Sequence, residues 1–278
     1  MLPVCRPNRG SYVVGYQNRE TGGNGWQLIC NTFLPVNGDK TGMKLSDFTV
    51  NADWDWSNDT IQFLNASGGT AVFEYEGDEY DAIFTYVTPD DHPYCEVAGW
   101  YQYDAATEDE FISVLEAEED TGRKFNELEY GFGAVYQTMA ESAALVYSGA
   151  VSQTPQTVIT AANGWRLIGN ANPVAASFED IAVNADWDWS NDTIQFLNAS
   201  GGTRTFEYEG DEYDAIFTFV TPDDHPYCEK AGWYQYDAAT EDEFIAIDES
   251  GITELAEGEC VVVQAMSEDA GIQFPAAL

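Results

Sequence analysis

Short runs in which β-branched and aromatic residues alternate with polar ones recur along this chain, separated by Gly-rich breaks. Thr60-Ile-Gln-Phe-Leu-Asn65 and Thr70-Ala-Val-Phe-Glu-Tyr-Glu76 are two of them, and Ser67-Gly-Gly69 between them predicts a hairpin turn. Gly77-Asp78 predicts a second turn that folds Glu74-Tyr-Glu76 back on the run from Tyr80 to Val87. Gly99 to Tyr103 alternates as a further strand, and Gly133 to Gln137 with Ala144 to Tyr147 reads as a closing pair. Helical periodicity is weak, and only Met43 to Val50 and Thr107 to Leu115 allow a turn or two. Many short strands joined by Gly-rich turns predict an all-β sandwich or barrel.

The strand pattern occurs twice. Val50 to Ile112 matches Val183 to Ile245 over 63 positions with four differences: Ala71/Arg204, Val72/Thr205, Tyr86/Phe219 and Val97/Lys230. Weaker matches flank that block. Asn24-Gly-Trp-Gln-Leu-Ile-Cys-Asn31 corresponds to Asn163-Gly-Trp-Arg-Leu-Ile-Gly-Asn170, and Glu127 to Gln137 corresponds to Glu254 to Gln264. The tryptophans fall at matching places, Trp26, Trp54, Trp56 and Trp100 against Trp165, Trp187, Trp189 and Trp233. A unit of roughly 130 residues has the size of a domain rather than of a solenoid repeat. The expected organisation is therefore a tandem duplication of one β domain: an N-terminal arm over 1–10, a first repeat over 11–151 and a second over 152–278.

Composition changes the picture in one respect. The chain carries 49 Asp and Glu against 10 Lys and Arg, a formal net charge of -39. Such a surface repels phosphate backbones and anionic membranes, so nucleic acid is not an expected partner. Identical subunits would pack only with their charge screened by salt or cations. No apolar run is long enough to cross a bilayer, and Met1 to Gly10 lacks the apolar stretch and cleavage site of a secretory leader.

The candidate chemistry is sparse. Asn51-Ala-Asp-Trp-Asp-Trp-Ser-Asn-Asp59 and its copy at 184–192 place Asp53, Asp55 and Asp59, and Asp186, Asp188 and Asp192, at alternate positions. In extended chain those carboxylates share one face, as Ca2+ would require, although the EF-hand pattern is not met. The plain alternative is a strand or tight turn with buried indoles and solvated carboxylates. His92-Pro-Tyr-Cys95 and His225-Pro-Tyr-Cys228 hold the two histidines. They read either as one half of a zinc site or a Cys–His pair, or simply as a surface turn. Asn58, Asn65, Asn191 and Asn198 fit the N-glycosylation pattern. The tryptophans suit stacking on sugars if exposed and the core if buried. Five cysteines leave an odd thiol; Cys95 and Cys228 match each other, whereas Cys30 stands opposite Gly169 and Cys260 opposite Gly133 in the repeat alignment.

These motifs resemble a loosely defined set of uncharacterised, secreted bacterial β-repeat proteins. The resemblance rests on Val13-Val-Gly-Tyr16, Gly25 to Asn31, Asp59 to Gln62, Gly99-Trp-Tyr101, Leu128 to Gly133 and Ser148 to Val151; Pro275-Ala-Ala-Leu278 departs from it at the end of the second repeat. It implies an exported, cell-surface or extracellular protein and no catalytic site. The expected function is a structural subunit that polymerises head to tail with copies of itself by strand addition. Cys5, Arg6, Arg9, Tyr12, Val13 and Val14 would dock on the next subunit. A bivalent glycan- or surface-binding module is the alternative, an enzyme of unknown class the second, and Ca2+ the one cofactor suggested.

Overall fold

The computed structural model describes residues 13–20, 25–34, 42–65, 69–93, 95–103, 112–116, 127–140, 142–152, 155–159, 164–198, 202–226, 228–236 and 245–275. It is nearly all β. The first half holds β1 (Val13–Glu20), β2 (Gly25–Cys30), β3 (Gly42–Lys44), β4 (Thr49–Val50), β5 (Thr60–Gln62), β6 (Val72–Tyr75), β7 (Asp78–Asp81), β8 (Ile83–Val87), β9 (Gly99–Gln102), β10 (Glu127–Glu129), β11 (Gly133–Thr138) and β12 (Ala144–Val151). The second half holds β13 (Gln156–Ile159), β14 (Gly164–Gly169), β15 (Ala176–Ser177), β16 (Ala182–Val183), β17 (Thr193–Gln195), β18 (Thr205–Tyr208), β19 (Asp211–Asp214), β20 (Ile216–Val220), β21 (Gly232–Gln235), β22 (Glu254–Leu255), β23 (Cys260–Ala265) and β24 (Gly271–Phe274). Every strand pairing among the described residues is antiparallel. The central sheet runs β2-β11-β5-β8-β9 in the first half and β14-β23-β17-β20-β21 in the second. The smaller sheets follow the same rule: β1-β12-β4 answers to β13-β24-β16, β10-β3 to β22-β15, and β6-β7 to β18-β19.

The hairpins differ in detail from the sequence expectation. The β6–β7 reversal centres on Glu76 and Gly77, with φ of 52° and 96°, and Asp78 already pairs with Tyr75. Two positive φ values make the turn whose twist suits a two-residue hairpin, and the second copy repeats it at Glu209 and Gly210. The turn therefore sits one residue earlier than Gly77-Asp78. The hairpin expected between residues 60–65 and 70–76 is reduced to a bridge between Leu64 and Thr70, with the Ala71 N–H donating to the Phe63 carbonyl. The reason is competition: β5 has β11 on one edge and β8 on the other. The segment Met43 to Val50 yields one 3-10 turn, Leu45–Asp47, between two short strands.

Alternation along the central strands covers both faces of each sheet. On β11, Ala134 and Tyr136 enter the core of the first half, where Phe48, Phe84 and Trp100 also pack. On β23, Val261 and Val263 enter the corresponding core around Phe196, Phe217 and Trp233. Each buried indole is tied down: Trp100 Nε1 donates to the Phe48 carbonyl (3.0 Å) and Trp233 Nε1 to that of Ile181 (3.2 Å). Trp100→Phe leaves that carbonyl without its donor and a gap beside it, so a loss of about 2–3 kcal/mol is expected, read as a lower urea midpoint.

The opposite faces of these strands meet between the halves. Cys30 of β2, Leu167 of β14, and Cys260 and Val262 of β23 form one apolar cluster with Ala171, against which Leu28, Leu64, Tyr130 and Leu197 pack. The approach is close. The Gly169 N–H donates to the Gly131 carbonyl across the junction (3.0 Å), and Phe132 bridges to Ile168. A Cβ on Gly169 would lie 2.5 Å from Cys30 Cβ, and one on Gly133 would lie 2.7 Å from Leu167 Cγ, so glycine is what the spacing permits at both places.

Candidate functional site

Period-two alternation fixes what the edge strands present. On β2, Ile29 points into the first core, so Trp26, Leu28 and Cys30 share the face turned to the other half. On β14, Ile168 points into the second core, and Trp165, Leu167 and Gly169 face back. Toward Cys30 and Gly169 this junction closes into the apolar cluster. Toward Trp26 and Trp165 it opens into a cleft of about 500 Å3, within the usual range for ligand sites.

Matched positions from both halves line this cleft: Trp26 with Trp165, Gln62 with Gln195, Asn65 with Asn198. Leu28, Leu64, Leu167, Leu197, Val135 and Val262 form its floor. The same patch used from both sides is the arrangement of an isologous contact, here within one chain. Trp26 and Trp165 remain 43% and 38% exposed, whereas Trp100 and Trp233 are buried.

The strands hold the polar lining in place. Gln62 Nε2 donates to Thr70 Oγ1 (2.5 Å), as does Gln195 Nε2 to Thr203 Oγ1. Asn65 Oδ1 accepts the Gly69 N–H (3.2 Å) and its Nδ2 donates to the Thr70 carbonyl (3.0 Å); Asn198 repeats this with Gly202 and Thr203. The strand ends are anchored by buried amides. Asn31 Nδ2 donates to the Leu128 carbonyl (2.8 Å), and Asn170 Nδ2 to those of Val174 (2.8 Å) and Leu255 (3.0 Å). The two edges differ in charge at one pair: Gln27 corresponds to Arg166, whose guanidinium lies 5.9 Å from the Phe132 ring centre.

The aspartates proposed for Ca2+ are arranged otherwise. Residues 51–59 turn instead of extending, so Asp53, Asp55 and Asp59 do not form a one-faced row. Asp55 Oδ1 accepts the Ser57 N–H (3.0 Å) and hydroxyl (2.7 Å), and its Oδ2 accepts the Asn58 amide (2.8 Å). Asp59 is fully buried; its Oδ2 accepts the Asp55 N–H (2.8 Å) and its Oδ1 the Met139 N–H (2.7 Å). In the second copy Asp188 holds Ser190 and Asn191, and Asp192 accepts the N–H groups of Asp188, Met266 and Ser267. Asp53 and Asp186 stay exposed. These carboxylates serve the chain's own donors, and among the described residues no three His, Cys, Asp or Glu side chains are grouped to hold a metal ion.

Hydrogen bonding by the Ser57 hydroxyl, then by Asn58, holds the Asp55 carboxyl below the usual range, and Ser190 and Asn191 do the same for Asp188. Burial pushes Asp59 up. For Asp55 and Asp188 the folded value is depressed, so their contribution is present above about pH 4 and is lost as pH falls through the folded value. Asp59 has the opposite sign, its folded form gaining as pH falls. The expected result is a urea midpoint whose decline below about pH 4 is shallower in Asp55→Asn/Asp188→Asn than in the parent chain.

The described residues of the His-x-x-Cys segments lie in turns. The Cys95 N–H donates to the His92 carbonyl (3.1 Å), and the His92 ring meets the Trp56 edge at 5.2 Å. The Cys95 thiol is buried with Val87 and Tyr101 and donates to the carbonyls of Val97 (3.1 Å) and Val87 (3.6 Å). Cys228 is placed likewise. Of the assembly residues, Cys5, Arg6, Arg9 and Tyr12 lie outside the described residues. Val13 and Val14 lie in β1, which pairs along its length with β12 of its own chain, Val13 opposite Val151 and Val14 opposite Ala150. No helix among the described residues is long and apolar enough to cross a membrane. Compared with family models, curated proteins and solved structures, the chain matches none.

Proposed function

We propose that the chain is a non-catalytic glycan-binding module, working outside the cell, whose two halves together build one cleft for a single neutral sugar chain. The observation that carries this reading is the pair Trp26 and Trp165: matched indoles on edge strands, each more than a third exposed, set over one apolar floor. An indole face carries negative charge density and packs well on the C–H face of a pyranose ring. The polar side chains beside it are the amides of Gln62, Asn65, Gln195 and Asn198 and the Thr203 hydroxyl. Such groups suit the recognition of sugar hydroxyls, whereas hydrolysis of a glycosidic bond calls on a pair of carboxylates. The net charge of -39 favours an uncharged ligand over acidic polysaccharides.

The reading differs from a bivalent module because the two indoles line one cleft rather than two separate surfaces. Strand-addition assembly has less support, since β1 takes its partner from its own chain. Electrophoresis of the full chain through native gels containing hydroxyethylcellulose, mixed-linkage β-glucan, galactomannan or alginate tests the proposal. Retardation by at least one of the neutral polymers is expected. Unchanged mobility in all three neutral gels, or retardation by alginate alone, contradicts it.

A further inference from the structure

Cys30 and Cys260 are the two cysteines of the described residues that the repeat does not duplicate, each replaced by glycine in the other copy. They lie far apart in sequence and in different halves, yet the fold brings both into the same apolar cluster, where they are 1% and 5% exposed. The route between them is short. Gly169 sits directly opposite Cys260 in the β14–β23 ladder, so their side-chain directions are shared. At Gly169 an added Cβ would stand 2.5 Å from Cys30 Cβ and 3.0 Å from its sulfur. Cys30 therefore occupies the space that a side chain on Gly169 would fill, at the position paired across the ladder with Cys260. Cys95 and Cys228, by contrast, are each enclosed in a separate pocket of their own half, with Tyr101 and Tyr234.

We propose that Cys30 and Cys260 are a disulfide site that covalently joins the two halves behind the cleft. Both are thiols in this structure. With a small-molecule disulfide as oxidant, one protein thiolate attacks it, forms a mixed disulfide and releases one thiol. The second protein thiolate then attacks the protein sulfur of that intermediate and expels the second small thiol. Two protein thiols and one small disulfide thus become one protein disulfide and two small thiols, the protons passing to the released thiolates. The low accessibility of both sulfurs places this exchange during folding or transient opening of the junction. Once formed, the bond closes a loop spanning most of the chain, the case in which a cross-link restricts the unfolded state most. Leu28, Leu167 and Val262 belong both to this cluster and to the cleft floor, so the link braces the floor as well.

The test is refolding of the full chain in a reduced/oxidised glutathione buffer, followed by acid quenching, alkylation of remaining thiols and proteolysis without reduction. The expected product is a cross-linked peptide pair containing Cys30 and Cys260, with the free thiol count lowered by two. The same pair should form in Cys5→Ser/Cys95→Ser/Cys228→Ser. Reductant should lower the melting temperature of the oxidised parent by roughly 5–10 °C and leave that of Cys260→Ser unchanged. Cys30 and Cys260 recovered alkylated, carrying glutathione, or linked to any other cysteine overturns the proposal, as does a parent melting temperature indifferent to reductant.

Discussion

Alanine at Trp26 or at Trp165 lowers affinity for the retarding neutral polysaccharide by roughly 30-fold, while the urea midpoint stays within experimental error of the parent. The size follows from truncating a large aromatic anchor at a binding surface, about 2 kcal/mol, which is about one and a half decades in Kd. The stability side follows from exposure: at 43% and 38% exposed, neither indole is a core residue, and the apolar floor behind them is made by leucines and valines. The double variant should bind too weakly to measure, since the two indoles bracket one ligand. Val174→Ala removes an exposed apolar side chain that does not line the cleft, and should change nothing. If both single variants bind as tightly as the parent, the indoles are not the platform and the cleft assignment fails.

The second large effect is on folding. Asp59→Ala and Asp192→Ala should each cost about 2–4 kcal/mol in urea unfolding, because each removes a buried carboxylate that accepts from at least two backbone N–H groups. Asp59 joins the 51–59 turn to the residue after β11, at Met139, and Asp192 joins the copy to the residue after β23, at Met266. Asp59→Asn keeps one acceptor oxygen and sets an amide N–H against the other donor, so an intermediate loss is expected. The two sites lie in different halves and share no partner, so their costs should add. A loss below 1 kcal/mol in both alanine variants would mean that water replaces the carboxylates freely, contrary to the burial.

What the sequence disclosed was local. The strands β5, β8, β9 and β11 follow from period-two alternation, which depends only on neighbouring residues. It places Ile61 inward and Gln62 on the reverse face wherever the strand ends up. Alternation could not say what lies across from that reverse face. Trp26, Leu28 and Cys30 share one side of β2, but their surroundings depend on a second sheet more than a hundred residues away. The indoles were therefore weighed between core and surface with no means of separating Trp26 from Trp100.

The aspartate segment departs from the extended geometry for a different reason. A shared carboxylate face presumes extended backbone, and Ser57 and Asn58 beside Asp55 are residues that form side-chain-to-backbone turns. That signal was present and pointed to Asx-type turns rather than to extended backbone. The hairpin turn moved by one residue because Glu76 adopts a positive φ, which a sequence reading assigns to glycine first. For the cysteines, their failure to repeat was legible, but their juxtaposition required the fold.

Counting ligands per chain tests the central claim most directly, because a cleft built jointly by both halves must hold one sugar chain and not two. Isothermal titration of the full protein with a hexasaccharide prepared from the polysaccharide that retards it most gives this number. One site per chain, abolished by Trp26→Ala/Trp165→Ala, is the predicted result. Two equivalent sites per chain, each removed by only one of the two substitutions, would show that the halves bind separately and would contradict the account.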